Sequence, residues 1–271
     1  MTILEKITAQ TKVDVYKRKK KVSFNDFGSF KAYEKDRLSL SEALNKKDSV
    51  SVIAEVKKAS PSKGIIRQDF DPLKIADSYI EHGASAISVL TDEPFFKGSL
   101  SYLESISEIS PLPLLRKDFI VDPYQVKEAR AHGADAVLLI ATICEGDQLS
   151  ELLAATREFG LQALVECYHQ EEIEDLNWND IEIVGVNNRN LSTFEVDLHR
   201  GIELLQHAPE GVIRVSESGL HKPDDLKTLF EQGIHSALIG EYFMRQPDIG
   251  MALKSFIDEF EELINKEKAF Q

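Results

Sequence analysis

The stretch AHGADAVLLI, residues 131–140, joins the polar end of an amphipathic segment to an apolar run through one glycine, Gly133. A glycine directly after a helix supplies the left-handed turn that ends it. The same order recurs in EHGASAISVL, EFGLQALVE and EQGIHSALIG, at Gly83, Gly160 and Gly233. Successive glycines are 50, 27 and 73 residues apart, which fits two, one and three copies of a unit of about 25 residues, the size of a short strand and helix.

Filling in the missing units predicts eight strands, near residues 50–58, 85–90, 113–119, 135–141, 161–167, 182–187, 212–217 and 236–240. Helices would lie between them, and one would close the chain near 249–265. Runs such as AVLLIA and IEIVGV are apolar with weak alternation, as in parallel strands covered on both faces. The pattern predicts an α/β fold, a (β/α)8 TIM barrel. The alternative, an open doubly wound sheet, has no preference for eight units, and no GxGxxG motif follows the first strand.

The first 48 residues precede strand one and predict a helical extension. Ile3, Ile7 and Val15 indicate an N-terminal helix, and SLSEALNKK, residues 39–47, has the spacing that starts a second short one. The apolar surface of this segment is too small for an independent core. We therefore predict one domain over residues 1–271, in which residues 1–48 pack on the barrel.

Composition limits the class of partner. With 32 basic and 46 acidic residues the net charge is −14, which argues against non-specific nucleic-acid binding and against an anionic membrane surface. The basic run KRKKK, residues 17–21, is interpreted as the solvated end of the first helix rather than a binding patch. Two cysteines without a C-x-x-C pair indicate a reducing compartment, and no stretch reaches membrane-spanning length. We expect a cytoplasmic monomer.

Charged and amide side chains gather at the ends of four predicted strands, where barrel enzymes carry their chemistry. Residues two apart share one face of a strand. The candidates are Glu55 and Lys57 on strand one, Lys117 and Phe119 on strand three, Glu166 on strand five, and Asn187 and Arg189 on strand six. Any one of them could be a buried ion pair or a solvated strand end. Burying all of them is costly unless they are paired or functional, so together they indicate a site.

Two loops near the end of the chain predict a phosphate site. SESGLHKPDDL, after strand seven, contains Ser218 and Gly219, and LIGEYFMRQPD, after strand eight, contains Gly240 and Glu241. Small residues ahead of short helices in these two units allow backbone N–H groups to approach a phosphate closely.

Other reactive residue types are interpreted as structural. His82 and His132 precede helix-ending glycines and are expected to interact with the negative end of the helix. The seven histidines have no metal-ligand spacing, so no metal site is predicted. Cys144 and Cys167 are expected to be buried fillers. The two aromatic residues of DEPFFKGS, residues 92–99, could either stack on a ring substrate or pack against their own helix.

The motifs IAEVKKASPSKG, FFKGS, LLRKDFI, LVEC, GVNNRNL, SESG and LIGE, in this order, resemble those of the indole-3-glycerol phosphate synthase family. The resemblance covers residues 3–265, including the extension. It implies closure of 1-(2-carboxyphenylamino)-1-deoxyribulose 5-phosphate to indole-3-glycerol phosphate, with loss of carbon dioxide and water, in tryptophan biosynthesis. It implies a decarboxylating lyase, and we expect no metal, nucleotide or flavin cofactor.

The resemblance also implies catalytic roles. Lys117 would be the general acid that protonates the substrate carbonyl, and Lys57 would face the anthranilate carboxylate. Glu166 would stabilise positive charge on the ring nitrogen or act as a base. Glu55 and Asn187 would serve the dehydration.

Substrate-binding roles are implied in the same way. Phe96 and Phe119 would line an aromatic pocket, and Arg189 would help to hold the substrate. The phosphate would be surrounded by Ser60, Ser218, Gly219, Gly240 and the backbone N–H of Glu241. Position 241 departs from some relatives, which carry serine there, and a carboxylate cannot donate to phosphate.

Two rival functions remain at this point. Another phosphosugar barrel, such as phosphoribosylanthranilate isomerase, would need an acid–base pair with a cysteine near the end of strand one, where this chain has Glu55 and Lys57. A binding barrel without catalysis would tolerate the loss of Lys117 and Glu166, yet both are present. The long polar loop Ser60–Phe70, with Gly64 as a hinge, is predicted to close over bound substrate.

Overall fold

Eight parallel strands close into a barrel in the computed structural model, which describes residues 2–190 and 193–268. The strands are β1 (Ser51–Val56), β2 (Ala86–Leu90), β3 (Leu114–Lys117), β4 (Ala136–Ile140), β5 (Gln162–Cys167), β6 (Ile183–Asn187), β7 (Ile213–Glu217) and β8 (Ser236–Ile239). Each pairs with the next, and β8 pairs with β1 through Ser51 and Ser236. The predicted barrel and its eight strands are confirmed, with ends shifted by at most two residues.

Helices alternate with the strands on the outside of the barrel. They are α1 (Ile3–Lys21), α2 (Leu40–Leu44), α3 (Pro72–Glu81), α4 (Glu93–Phe96), α5 (Leu100–Ser107), α6 (Pro123–Ala131), α7 (Gln148–Glu158), α8 (Gln170–Glu174), α9 (Leu198–Leu205), α10 (Pro223–Glu231), α11 (Glu241–Met244) and α12 (Ile249–Lys268). Short 3-10 turns cover Asp26–Ser29, Ala141–Ile143 and Trp178–Asp180. None of these described helices is both long and apolar enough to cross a lipid bilayer.

The repeated glycine marks the end of four helices, as predicted. Gly83, Gly133, Gly160 and Gly233 all have positive φ, between 62° and 97°. This left-handed conformation is readily available to glycine and turns the chain from the helix back toward the barrel. The predicted contact of histidine with the helix end is also present, since the His82 Nδ1 atom lies 2.7 Å from the carbonyl of the preceding turn.

Apolar side chains form two layers, one inside the barrel and one between the barrel and its helices. The inner layer includes Ile53, Leu115, Leu164 and Val215, all fully buried. The outer layer joins the other face of the strands to the helices, for example through Tyr79 of α3. Strands covered on both faces explain the continuous apolar runs of the sequence.

The N-terminal extension contacts both ends of the barrel. Ile7 of α1 belongs to the inner cluster at the carboxyl ends of the strands, together with Phe119. Leu40 and Leu44 of α2 belong to the same cluster at the opposite end, where the Leu44 carbonyl accepts from the hydroxyl of Ser51 at the start of β1. The second helix was predicted over 39–47 but ends at Leu44, and its first turn is capped by the Ser39 hydroxyl as expected.

Between its helices the extension runs along the side of the barrel. The Arg37 guanidinium donates to the carbonyl of Ala134, and the N–H of Leu38 donates to Asp135, both at 2.9 Å. The basic run forms the last turn of α1, where Arg18 and Lys19 face the acids Glu128 and Asp122 at 3.2 and 2.7 Å.

Candidate active site

One cavity at the carboxyl ends of the strands is lined by all thirteen site residues predicted from the sequence. They are Glu55, Lys57, Ser60, Phe96, Lys117, Phe119, Glu166, Asn187, Arg189, Ser218, Gly219, Gly240 and Glu241. The barrel brings them together from seven strands and the loops that follow them, because the carboxyl ends of parallel strands meet at one rim.

Three of these residues lie just beyond their strands, which corrects the sequence prediction. β1 ends at Val56, β3 at Lys117 and β6 at Asn187, so Lys57, Phe119 and Arg189 stand in the loops. At β3 the backbone turns away because the Asp118 carboxylate accepts the N–H of Phe119. The three side chains still reach the cavity.

The end of β1 carries a buried ion pair. Glu55 is 2% exposed, and one of its carboxylate oxygens lies 2.5 Å from Lys57 Nζ. Lys58, the next residue, points the other way, and its ammonium lies 5.7 Å from the ring centre of Phe70. The run of one acid and two bases thus divides in two: Glu55 and Lys57 face the cavity, and Lys58 lies outside it.

Gly240 permits the close approach of β8 to this pair. A Cβ atom at Gly240 would overlap the carboxylate of Glu55. A side chain at position 240 would therefore displace Glu55, so glycine is required there by space.

Lys117 reaches across the barrel and lies between two carboxylates. Its Nζ is 3.0 Å from an oxygen of Glu217 on β7 and 3.3 Å from one of Glu166 on β5. Burial alone would lower the pKa of Lys117, but the charges of Glu217, Glu166 and Glu55 outweigh it and raise that pKa above its ordinary value. The side chain is therefore a fixed cation at neutral pH.

Glu217 was missed in the sequence analysis and lies at the centre of the site. It is 1% exposed, and burial raises the pKa of its carboxyl, an effect strengthened by Glu166 and opposed by Lys117. Gly185 on the neighbouring strand makes room for it, since a Cβ there would overlap the Glu217 carboxylate. A partly protonated carboxyl group can donate a hydrogen bond or share a proton with Glu166.

A sequence signal for Glu217 was available. Val215 belongs to the inner cluster, and residue 217 lies two positions further along the same strand. Alternation therefore directs Glu217 inward. The motif SESG was interpreted only as a phosphate loop, and the same argument that selected Glu55 was not applied to it.

One wall of the cavity is aromatic and apolar. The rings of Phe96 and Phe119 are 5.9 Å apart at 35°. Phe96 closes α4, an unpredicted helical turn whose first N–H groups donate to Asp92. Phe96 lines the cavity, and both Phe95 and Phe96 pack against the inner cluster rather than only against their own helix. Ile3, Leu4 and Ile7 of α1 complete the wall, a contribution that the sequence analysis did not predict.

Asp92 gives a prediction on stability. Burial raises the pKa of its carboxyl to about 6, against the N–H groups of α4, which lower it. The folded state thus favours the protonated form, and stability is lost as pH rises from the unfolded pKa of about 4 through this value. Asp92→Asn keeps the capping oxygen and removes the ionisation. We expect this variant to raise the free energy of unfolding by roughly 1 kcal/mol at pH 7 and by little at pH 4, after allowance for solvent screening.

Thermal unfolding of wild type and Asp92→Asn at pH 4, 5.5 and 7 tests this. The difference in melting temperature should grow with pH. A variant that is less stable than wild type at pH 7 and equal at pH 4 would contradict it, because the ionised cap would then be the stabilising form.

The opposite wall contains the two small-residue loops and two charged groups. Ser218 and Gly219 follow β7, and Gly240 and Glu241 follow β8. The Glu241 carboxylate lies 3.5 Å from Arg189 and 3.0 Å from Arg245. Burial would raise the pKa of Glu241, but these two arginines outweigh it and lower that pKa. The side chain is thus directed to the arginines, as expected of a residue that offers only its N–H to phosphate.

The cysteines do not take part in this site. Cys167 is fully buried within the outer layer, and burial raises the pKa of the Cys144 thiol to about 11. A neutral thiol is a poor nucleophile. Cys167 is the buried filler that was expected, whereas Cys144 is only partly buried.

Comparison with known proteins places the chain in a family. A profile of indole-3-glycerol phosphate synthase matches residues 4–256. The enzyme of that name from Salinibacter ruber is 49% identical over 255 residues, covering 93% of this chain and 94% of its own. The one from Campylobacter jejuni (strain 81-176) is 45% identical over 259 residues, covering 94% and 100%. A crystal structure of 3-hexulose-6-phosphate synthase, 14% identical, matches with a TM-score of 0.62 over 77% of this chain and 99% of its own, which shows the barrel fold alone.

The profile and the two relatives extend over the barrel and much of the extension, and the thirteen motif residues line one cavity. The chain belongs to the indole-3-glycerol phosphate synthase family.

Proposed function

We propose that this cavity closes the indole ring of 1-(2-carboxyphenylamino)-1-deoxyribulose 5-phosphate, with loss of carbon dioxide and water, to give indole-3-glycerol phosphate for tryptophan biosynthesis. The position of Lys117 is the observation that supports this assignment of roles. This lysine is a largely buried cation, with 16% of its side chain exposed, held at 3.0 Å from Glu217 between an aromatic wall on one side and small-residue loops on the other.

The first step forms a carbon–carbon bond. The ring carbon that bears the carboxylate attacks the sugar carbonyl, and the carbonyl oxygen takes a proton as its charge develops. Lys117 supplies positive charge and a proton at that oxygen. Lys57 faces the carboxylate that leaves as carbon dioxide, and the bonding electrons return to the ring system.

The second step removes the hydroxyl group as water. Glu55 and Asn187 serve this dehydration, in which a proton leaves the substrate and another reaches the departing hydroxyl. Glu166 stabilises positive charge on the nitrogen or accepts a proton. The 3.0 Å contact of Glu217 with Lys117 supports its inclusion beside Glu166, because both carboxylates lie against the ammonium and favour its charged form.

The substrate fits the cavity by its chemistry. An aromatic ring would lie against Phe96 and Phe119, and a phosphate dianion would lie near Arg189 and the N–H groups of Gly219 and Glu241. A direct assay tests the function: the purified protein is mixed with the arylamino-deoxyribulose phosphate and indole fluorescence is followed. No fluorescence from folded protein would refute it, and conversion of phosphoribosylanthranilate instead would favour the rival isomerase.

We also propose that the protein is a single-domain, cytoplasmic monomer. The contacts of the extension with both ends of the barrel support one folding unit, and both cysteines are free of disulfides. Sedimentation at micromolar concentration should give the mass of one chain, and one cooperative unfolding transition should include the extension.

The loop after β1 is proposed to close over the substrate. Its base forms a two-stranded hairpin, Ala59–Ser60 with Gly64–Ile65, while residues 61–63 are exposed. Arg67 anchors the far side of the loop, since its guanidinium donates to the carbonyls of Met244 and Gln246 at 3.2 and 2.9 Å. Motion is thus expected at the tip, about Gly64, rather than at Arg67.

Limited trypsin digestion tests this loop. We expect cleavage after Lys63 and not after Arg67, and we expect a substrate analogue to slow the Lys63 cleavage while cleavage after the exposed Lys47 stays unchanged. Equal rates at Lys63 with and without saturating analogue would contradict closure.

A further inference from the structure

The bend after β7 has an unusual backbone that something must hold in place. Ser218 and Gly219 both lie in the left-handed region, with φ of 69° and 75°. Glycine adopts this region without strain, whereas serine does so only when its surroundings require it. Here the contacts that hold Ser218 in this conformation come from the residue after the neighbouring strand, β6.

Asn188, the residue after β6, hydrogen-bonds to this bend through both its backbone and its side chain. Its backbone N–H donates to the carbonyl of Glu217 at 2.8 Å. Its side-chain nitrogen donates to the carbonyl of Ser218 at 3.0 Å and to the hydroxyl of Ser216 at 2.9 Å. A carbonyl can only accept, so the amide nitrogen, not the oxygen, must face Ser218.

The Asn188 side chain is buried in a way that leaves one of its polar atoms without a hydrogen bond to the described part of the chain, which is energetically unfavourable. It is 1% exposed, and its Oδ1 atom has no hydrogen-bond partner among the described residues. Gly201 of α9 lies so close that a Cβ there would overlap this oxygen. A buried acceptor without a partner is unfavourable, so the donor on the other side of the same amide must offset that loss.

The bond to the Ser218 carbonyl also sets the direction of the next N–H group. The described peptide bonds are all trans, so the carbonyl of Ser218 and the N–H of Gly219 point in opposite directions across one plane. The carbonyl points to the buried Asn188. The N–H of Gly219 therefore points away from it, on a residue that lines the cavity.

We propose that Asn188 is a positioning residue for phosphate binding: it holds the Ser218–Gly219 peptide so that the Gly219 N–H faces the substrate phosphate. The inference rests on the proposed function for the identity of the phosphate ester. It assigns a role to a side chain that touches no substrate and that the resemblance left without one.

The decisive variant is Asn188→Asp, which keeps the shape but replaces the donor with an acceptor. Inorganic phosphate is the binding probe, and 2-aminobenzoate is the phosphate-free control ligand. We expect phosphate affinity to fall, and KM for the full substrate to rise, by about tenfold or more, with little change in kcat or in 2-aminobenzoate affinity. Ser216→Ala is the matched control, because it removes the other acceptor and keeps the bond to Ser218; its KM should stay within about twofold.

Two outcomes would overturn the proposal. One is an unchanged phosphate affinity in folded Asn188→Asp. The other is an equal loss in Asn188→Asp and Ser216→Ala, which would indicate general damage to the strand. If wild type binds phosphate and Asn188→Asp does not, but neither closes the ring, the proposed function fails while Asn188 keeps its role.

A measurement on wild type serves if the variant does not fold. In protein labelled with 15N-glycine, the amide signal of Gly219 should shift with inorganic phosphate and saturate with the same affinity as the binding curve. A Gly219 signal that stays unchanged at saturation would overturn the proposal, because the N–H would not then meet the phosphate.

Discussion

Lys117→Met and Lys117→Arg should each lower kcat by at least roughly 100-fold, the lower range for the loss of a general acid. Methionine removes the charge that meets the developing oxyanion. Arginine keeps a charge, but its planar guanidinium differs in shape from the single ammonium that lies between Glu166 and Glu217. KM should change little, because the phosphate and carboxylate contacts are proposed to lie elsewhere. Steady-state kinetics by indole fluorescence measures both constants.

Lys57→Met provides the comparison, since it should act partly on KM through the lost partner of the substrate carboxylate. A nearly normal kcat in Lys117→Met together with an inactive Lys57→Met would mean that the roles of the two lysines are reversed. Thermal unfolding of each variant controls for damage, because removing Lys117 leaves two buried carboxylates without their cation.

The surroundings of Lys117 also predict a pH profile. Its pKa is raised by Glu217, Glu166 and Glu55 despite burial, so the lysine stays protonated above its ordinary pKa. Loss of activity on the alkaline side should therefore come from another group. Glu217 is a candidate, because its raised pKa places its deprotonation closer to neutrality. The alkaline limb of kcat/KM should move or disappear in Glu217→Gln, and an unchanged limb would exclude that carboxyl group.

Gly219→Asp should raise KM far more than it lowers kcat. Position 219 has φ of 75°, and a Cβ there would overlap the Val196 side chain. A side chain here adds left-handed strain of about 1–2 kcal/mol, which the free loop can relieve by changing conformation. Restoring the binding conformation then costs roughly tenfold in affinity. The aspartate adds a negative charge beside the proposed phosphate site. An unchanged KM in the folded variant would place the phosphate elsewhere.

Two further variants separate the causes at this position. Gly219→Ala tests the strain and the contact with Val196 without added charge. Gly219→Ala combined with Val196→Ala removes the overlap and leaves the backbone strain. We expect KM to increase from the double variant to Gly219→Ala to Gly219→Asp. If Gly219→Ala equals Gly219→Asp, the charge contributes nothing and steric displacement explains the whole effect.

The barrel could be predicted because its signals are local. A glycine after a helix and an apolar run after the glycine lie within ten residues of each other, as around Gly133. Residues that face the cavity could likewise be selected by counting two positions along a strand. Only contacts made within one unit are visible in this way.

Contacts between distant units were not predictable in the same way. The arrangement of Lys117 between Glu166 and Glu217 joins residues up to 100 positions apart, and no local pattern indicates which acids a lysine will reach. The pairing of Glu241 with Arg189 and the packing of α1 against the cavity are of the same kind. Glu217 is different, since alternation along β7 was sufficient to find it.

The extension that touches both rims of the barrel has a consequence for the order of assembly. Ile7 needs Phe119 and Ile143, and Leu40 needs neighbours from several strands, before either has anything to pack against. Residues 1–48 leave the ribosome before the strands and must therefore wait while much of the barrel is made. Their contacts are long-range ones that form late and slow the folding of the barrel. A bulky fusion joined ahead of Thr2 would emerge beside the cavity, because Ile3 and Leu4 line it.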